Sequence, residues 1–199
     1  MQTNLGTCTG DNCALDKYLT VNIEEAPQQL ITVSNGNGND IWKLESLIQD
    51  QYINVIKSQV LTKTKEEFVG IIGLAERTVD SLRGLPTGVY SLWSRDSPND
   101  VERGEFPGAN IYGTHPFYMY YDQSGTSSWV GVYTNLAAAQ DWYVTNNDDT
   151  GTIDLKTMAA GGIVDVTIMM GADPNEVTQR YHDLIGKPVL TPMWALGWH

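Results

Sequence analysis

Short segments in which hydrophobicity alternates with a period of two, separated by turn residues, constrain this chain more than any other feature. In Gly162 to Gly171 one face carries Val164, Val166, Ile168 and Met170, and the other Ile163, Asp165, Thr167 and Met169, as a strand with side chains on alternate sides requires. Thr152 to Met158 alternates in the same way. Gly88 to Ser94, Ile111 to Tyr121 and Trp129 to Thr134 are short aromatic or β-branched runs, and Phe68 to Leu74 is apolar. Strands of this length and spacing predict an all-β fold, a β-sandwich. One helix interrupts the pattern. Asp173 stands as N-cap, Pro174 as the first helical residue and Glu176 as the capping-box partner. Val177, Tyr181, Leu184 and Ile185 form its apolar stripe, and Gly186 and Pro188 end it, which predicts a helix over about 174–185.

Before the sandwich pattern begins, residues 1–29 are polar and without period, and are expected as an irregular arm. The alternating Asn and Gly of Ser34 to Asp40 separate Leu30–Val33 from Ile41–Leu44, which predicts a hairpin. The next stretch carries two patterns. Leu44, Leu47, Ile48, Tyr52, Val55, Ile56 and Val60 fall at helical spacing, while the β-branched content of 52–64 suits strand equally. At the far end, the apolar run Met193 to Trp198 follows two prolines and reads as a buried strand of the parallel kind, with no partner strand evident. With 199 residues, 41% of them hydrophobic, the chain can bury one sizeable core. The expected division is an arm at 1–29, a sandwich at 30–172, and a helix with a connector at 173–199.

The formal charge of −12, from 24 acidic and 12 basic residues, argues against nucleic acid and anionic membrane as partners. No run reaches the roughly 18 apolar residues of a membrane span. Cys8 and Cys13 bracket a short Gly-containing loop that a disulfide would close, and two free thiols fit the spacing as well. Zinc would need further ligands, and none lie nearby. Gly36 and Gly38 lack the third glycine and the following helix of a dinucleotide fingerprint, so no cofactor is expected. The doublets Glu24-Glu25, Glu66-Glu67 and Asp148-Asp149 point to opposite faces on extended chain and read as solvated charge. His115, His182 and His199 are dispersed, and His115 is expected as a packed strand residue. Gly125 to Trp129 fails the last position of a nucleophile elbow. No catalytic residue is therefore assigned. Tyr112, Phe117, Tyr118, Tyr120 and Tyr121 are expected to fill the core rather than stack on sugar rings. Asp96, beside Arg95 in the loop after a Trp-bearing strand, can accept hydrogen bonds from hydroxyls or stabilise its own turn.

Several segments, in order, carry a family likeness: Gly73-Leu-Ala-Glu-Arg77, Gly88-Val-Tyr-Ser-Leu-Trp-Ser-Arg-Asp96, Asn110-Ile-Tyr-Gly-Thr-His-Pro-Phe117, Gly161-Gly-Ile-Val-Asp165, Pro174-Asn-Glu-Val177, Tyr181, Gly186-Lys-Pro188 and Trp194-Ala-Leu-Gly197. Together they resemble the N-terminal part of glycoside hydrolase family 31, the α-glucosidase, maltase-glucoamylase and sucrase-isomaltase group. The likeness is firm over about 68–199, weak over 30–67 and absent before. It implies a galactose-mutarotase-like β-sandwich packed against a (β/α)8 barrel whose first strand is the segment around Trp194, and it favours strand at 44–64. In the family a barrel Asp is the nucleophile of retaining hydrolysis and a second barrel Asp the general acid. A barrel needs about 200 residues or more, so those carboxylates are expected outside this chain. The resemblance further implies that Asp96 reaches the leaving-group sugar of an α-glucoside and that the parent works in the secretory pathway, the lysosome or outside the cell; no metal and no cofactor are expected from the residues themselves. Ser94 stands where the family usually has Asn, Ala75 where it usually has Gly, and Trp198 where Phe is common. A truncated, non-enzymatic relative, serving as scaffold or carbohydrate-binding subunit of a larger assembly, is the alternative.

Overall fold

A computed structural model of the chain describes residues 19–24, 30–49, 52–61, 70–77, 84–94, 110–123 and 128–197. In chain order these form β1 (Thr20–Glu24), β2 (Leu30–Ser34), β3 (Asp40–Gln49), β4 (Asn54–Leu61), β5 (Ile72–Gly73), β6 (Gly88–Leu92), β7 (Phe117–Asp122), β8 (Ser128–Thr134), β9 (Gln140–Asn147), β10 (Thr152–Ala159), β11 (Val166–Gly171) and the helix α1 (Pro174–Ile185). All pairings between them are antiparallel. One sheet has the order β1-β2-β3-β4-β10-β9-β6, and a second the order β11-β8-β7-β5. The expected all-β sandwich with a single helix is the architecture found.

The two sheets close on one core because alternate positions of each strand are apolar. Trp42, Val60, Trp142, Val144, Ile153 and Leu155 from the larger sheet meet Tyr118, Tyr120, Val130 and Val132 from the smaller. Polar links also cross between the sheets. The Trp42 indole Nε1–H donates to the Tyr118 hydroxyl at 3.1 Å, and the Tyr120 hydroxyl donates to the Ile41 carbonyl at 2.9 Å. Burial pushes both phenols above the ordinary tyrosine range.

The helix lies on the outer face of the smaller sheet, so β11 is covered on both sides: Met170 faces the sandwich core and Met169 faces α1. Gly131 permits the close approach, since a Cβ there would stand 2.5 Å from Val177 Cγ1. Phe117 stacks on Tyr181 with ring centroids 4.3 Å apart. Asp173 Oδ1 accepts the Glu176 N–H at 2.8 Å, as the N-cap expectation requires. Glu176 Oε2 accepts from the Ala172 N–H at 2.9 Å, one residue before the cap, so the return bond is displaced from a standard capping box. Val177 and Tyr181 are buried, while Leu184 and Ile185 are about half exposed, so the apolar stripe is covered only along its first part.

Several expectations change. β1 falls within the segment expected to be irregular and pairs with β2, where the backbone ladder outweighs the polar composition. The ambiguous 44–64 stretch is β-structure, in β3 and β4, with no helix among its described residues, because its alternate residues face a shared core. Ile111–Pro116 is not strand: Gly113 and Pro116 delay β7 to Phe117, which leaves His115 exposed rather than packed. Met193–Ala195 forms a 3-10 turn instead of the expected buried strand. No strand among the described residues lies beside it, so its backbone closes locally through Ala195 N–H to Pro192 O and Leu196 N–H to Met193 O. Trp198 and His199 lie outside the described residues, as do Cys8, Cys13, Glu66 and Glu67.

Candidate functional site

Recognition chemistry gathers where β6 leaves its sheet. Beyond Leu92 the chain continues through Trp93 and Ser94, and described backbone resumes at Asn110, which bridges to Arg77. Asn110 is 3% exposed and ties these stretches together. Its Oδ1 accepts the Trp93 N–H at 2.9 Å and its Nδ2 donates to the Gly113 carbonyl at 2.9 Å. The Ser94 and Thr114 hydroxyls lie 2.9 Å apart as a second tie. Asp96 and Arg95, singled out in the sequence, lie outside the described residues.

Arg77 supports this region from beneath. Its Nε donates to the Leu74 carbonyl and its Nη2 to the Ser91 carbonyl at 2.7 Å, while the guanidinium carbon stands 5.2 Å from the Tyr90 ring centre. Burial pulls the guanidinium down to about 10, against the opposing pull of Tyr90, so it stays charged at neutral pH. The Tyr90 phenol is raised by its own burial, and its hydroxyl donates to the Pro86 carbonyl at 2.6 Å. Leu74 and Ala75 adopt φ of 57° and 76°, the left-handed region, so Ala75 holds a conformation in which glycine meets no Cβ penalty.

Beside these ties opens a cleft of about 490 Å³, lined by Trp93, Ser94, Thr114, Tyr133, Asn135 and the 136–140 segment. Gln140 is buried and fixes one wall. Its Nε2 donates to the Leu136 carbonyl at 2.9 Å and the Ala138 carbonyl at 3.3 Å, and its Oε1 accepts the Trp142 indole at 2.9 Å. The Tyr133 hydroxyl donates to Asn135 Oδ1 at 3.3 Å. Such a site can bind and orient. Among the described residues its side chains offer no base held against a nucleophile, and no three His, Cys, Asp or Glu converge as a metal site.

The remaining sequence candidates divide as follows. Tyr118 and Tyr120 are buried, Phe117 and Tyr121 pack on Tyr181 and Trp129, and Tyr112 alone of that set is exposed. Asp148 and Asp149 are exposed in the turn after β9, as expected of solvated charge. His182 is half buried on α1 and far along the chain from the exposed His115. Sequence reasoning missed Thr114, Tyr133, Asn135 and Gln140, which come from separate segments that only the fold brings together. The available signal was Trp93, an aromatic at a strand end beside a loop.

No family model matches the sequence. Curated relatives do. Lysosomal alpha-glucosidase of Mus musculus is 32% identical over 129 residues, 65% of this chain and 12% of its own length. Intestinal sucrase-isomaltase of Homo sapiens is 29% identical over 185 residues, 92% of this chain and 9% of its own length. A probable alpha/beta-glucosidase of Aspergillus oryzae is 31% identical over 194 residues, 96% of this chain and 20% of its own length. The chain thus spans about a fifth or less of these relatives, and the likeness extends into the first 29 residues, where none was expected. Among solved structures, a Kfla1895 mutant in complex with isomaltose aligns with 88% of this chain and 22% of its own at a TM-score of 0.51, with 14% identity, a likeness of fold.

Proposed function

From the premise that this chain is homologous to the N-terminal region of glycoside hydrolase family 31 enzymes, we propose that it is the non-catalytic sandwich of an α-glucosidase-like hydrolase. In this reading residues 30–172, with β1 added at the sheet edge, form the supporting domain, and 173–199 are the helix and connector into a (β/α)8 barrel. The barrel supplies both carboxylates of a retaining mechanism acting on terminal α-linked glucose. This chain supplies a surface for the barrel and, through Asp96, a hydrogen-bond acceptor for the leaving-group sugar.

The observation that supports this best is the connector. After the half-exposed Leu184 and Ile185, Val189 is 86%, Leu190 92% and Trp194 79% exposed, with Met193 and Leu196 also exposed. Apolar side chains following one another in this way call for a covering partner, and one local 3-10 turn does not provide it.

Expression of the full reading frame beside the 199-residue chain tests the proposal. The full frame hydrolyses an aryl α-glucoside and the 199-residue chain does not. Asp96→Ala in the full frame lowers kcat/KM roughly 10- to 100-fold, as loss of a charge-assisted hydrogen bond to substrate implies. Hydrolysis by the 199-residue chain, or a reading frame that encodes no barrel, refutes the assignment; the latter outcome favours the scaffold or carbohydrate-binding subunit.

A further inference from the structure

We propose that Asn37 is a site of spontaneous covalent modification, at which the side chain closes on the Gly38 backbone nitrogen, loses ammonia and is converted to aspartate and isoaspartate. The site is independent of the proposed function. Two Asn-Gly dipeptides stand in the β2–β3 turn, Asn35-Gly36 and Asn37-Gly38, and the sequence holds no others. Glycine leaves the nitrogen that follows an asparagine least shielded, because no Cβ stands beside it. The sequence marks both dipeptides alike. The fold separates them.

Asn35 is locked. It is 1% exposed. Its Oδ1 accepts the Asn37 and Asn39 N–H groups, each at 3.1 Å, and its Nδ2 donates to Asp122 Oδ2 at 3.0 Å. With both ends of the amide held, its Cγ reaches the Gly36 nitrogen only after these three bonds break and the amide leaves the interior. Asn37 is exposed, as are Gly36 and Gly38 on either side of it. Among the described residues its side chain has no hydrogen-bond partner, so its torsions are free to bring Cγ onto the next nitrogen. A Cβ at Gly38 would meet no atom within 4 Å, so the space that the ring occupies is open. The Gly38 N–H donates to the Asn35 carbonyl at 2.9 Å. That one bond must open first, against three at Asn35.

The reaction draws only on water and hydroxide. The Gly38 nitrogen, deprotonated by hydroxide, forms a bond to Asn37 Cγ. The Cγ–Nδ2 bond breaks, ammonia leaves with a proton from water, and a succinimide remains. Water then opens the ring. Cleavage between the nitrogen and Cγ leaves aspartate at position 37, and cleavage between the nitrogen and the main-chain carbonyl carbon leaves isoaspartate. No atom changes oxidation state. Isoaspartate lengthens the backbone by one methylene between Asn37 and Gly38, inside a turn whose closure depends on spacing. Asn35 both donates its N–H to the Asn39 carbonyl at 2.8 Å and accepts the Asn39 N–H at Oδ1. The longer backbone draws Asn39 away from both, which loosens the turn joining β2 to β3.

The test is a time course of the folded 199-residue chain at mildly alkaline pH. Electron-transfer fragmentation of the tryptic peptide Tyr18–Lys43, which holds both dipeptides, reads each position separately. Conversion at Asn37 is expected to run at least about tenfold faster than at Asn35, the effect that two further hydrogen bonds of ordinary strength have on a barrier. In the urea-unfolded chain the two positions convert at similar rates, because the local sequences are then all that remains. Asn37→Gln, whose longer side chain closes a larger ring far more slowly, keeps the backbone N–H that Asn35 accepts and reduces the peptide's conversion to the slow share of Asn35. The isoaspartate form, separated by ion exchange, unfolds at lower urea than the unmodified chain. Conversion at Asn35 as fast as at Asn37 in the fold overturns the site. So does a folded chain that stays unmodified at Asn37 while the unfolded chain converts, or undiminished conversion in Asn37→Gln. An unchanged urea midpoint overturns the effect on the turn.

Discussion

Asn110 holds the base of the site together, and replacing it with Ala gives a measurable cost. The side chain is 3% exposed, accepts from the Trp93 N–H and donates to the Gly113 carbonyl, both at 2.9 Å. Each partly buried bond is worth about 1 kcal/mol, and a backbone N–H left without an acceptor adds up to roughly another 1 kcal/mol. Asn110→Ala is therefore expected to destabilise by about 2–3 kcal/mol, roughly a 30- to 150-fold fall in the folding constant. Urea unfolding followed by tryptophan fluorescence measures this. Asn135→Ala is the matched control, because the same truncation at an exposed position stays within about 0.5 kcal/mol. Asn110→Asp keeps an acceptor for Trp93 and loses the donor to Gly113, so it separates the two bonds. If Asn110→Ala falls within about 0.5 kcal/mol of wild type, or no further from it than Asn135→Ala, the tie between these stretches is not an energetic one and the reasoning fails.

Two other outcomes follow from the packing and the titrating groups. Gly131→Ala places a methyl 2.5 Å from Val177 Cγ1 and 3.0 Å from Phe117 Cε2; it should cost about 1–3 kcal/mol of overpacking, and combining it with Val177→Ala should cost less than the sum of the two, whereas strict additivity would deny the contact. Raised phenols at Tyr118 and Tyr120 stay protonated in the fold when the unfolded chain has ionised, so stability is full below about pH 10 and falls above it by up to about 2.7 kcal/mol per pH unit. Arg77, lowered to about 10, acts in the opposite sense above that pH, by at most about 1.4 kcal/mol per unit and less for its partial exposure. Urea midpoints measured from pH 8 to 11 should therefore drop at the alkaline end, less steeply in Tyr120→Phe, and a flat profile would contradict the burial of these hydroxyls.

What the sequence revealed was what local chemistry encodes. Asp173, Pro174, Glu176 and Gly186 delimit α1 because capping acts within one helical turn, and the Asn-Gly cluster sets the β2–β3 turn because Gly38 takes a φ of 76° and Asn35 Oδ1 accepts the Asn37 and Asn39 N–H groups. Where a tertiary partner decides, the pattern was ambiguous or silent. Leu44 to Val60 fits two periods, and only the facing sheet selects strand. β9 escaped notice because one of its core-facing positions is Gln140, polar but buried, whose amide is satisfied by the Trp142 indole and two carbonyls. The run Met193 to Leu196 shows the converse: apolar composition states that a segment should be covered, and carries no information on whether the covering surface belongs to the same fold.

The same division separates the polar groups of the core from those of the surface. In the core Tyr118 is occupied with Trp42, Tyr120 with the Ile41 carbonyl, Asp122 with Asn35 at 3.0 Å, and Gln140 with its own loop. Such pairs hold a core rigid and have no capacity left for a substrate. Apolar side chains along 184–196 stand exposed at the periphery. A barrel docked on these side chains would leave the sandwich as its rigid support, with Asn110 and Arg77 fixing the stretches on either side of the segment that holds Asp96.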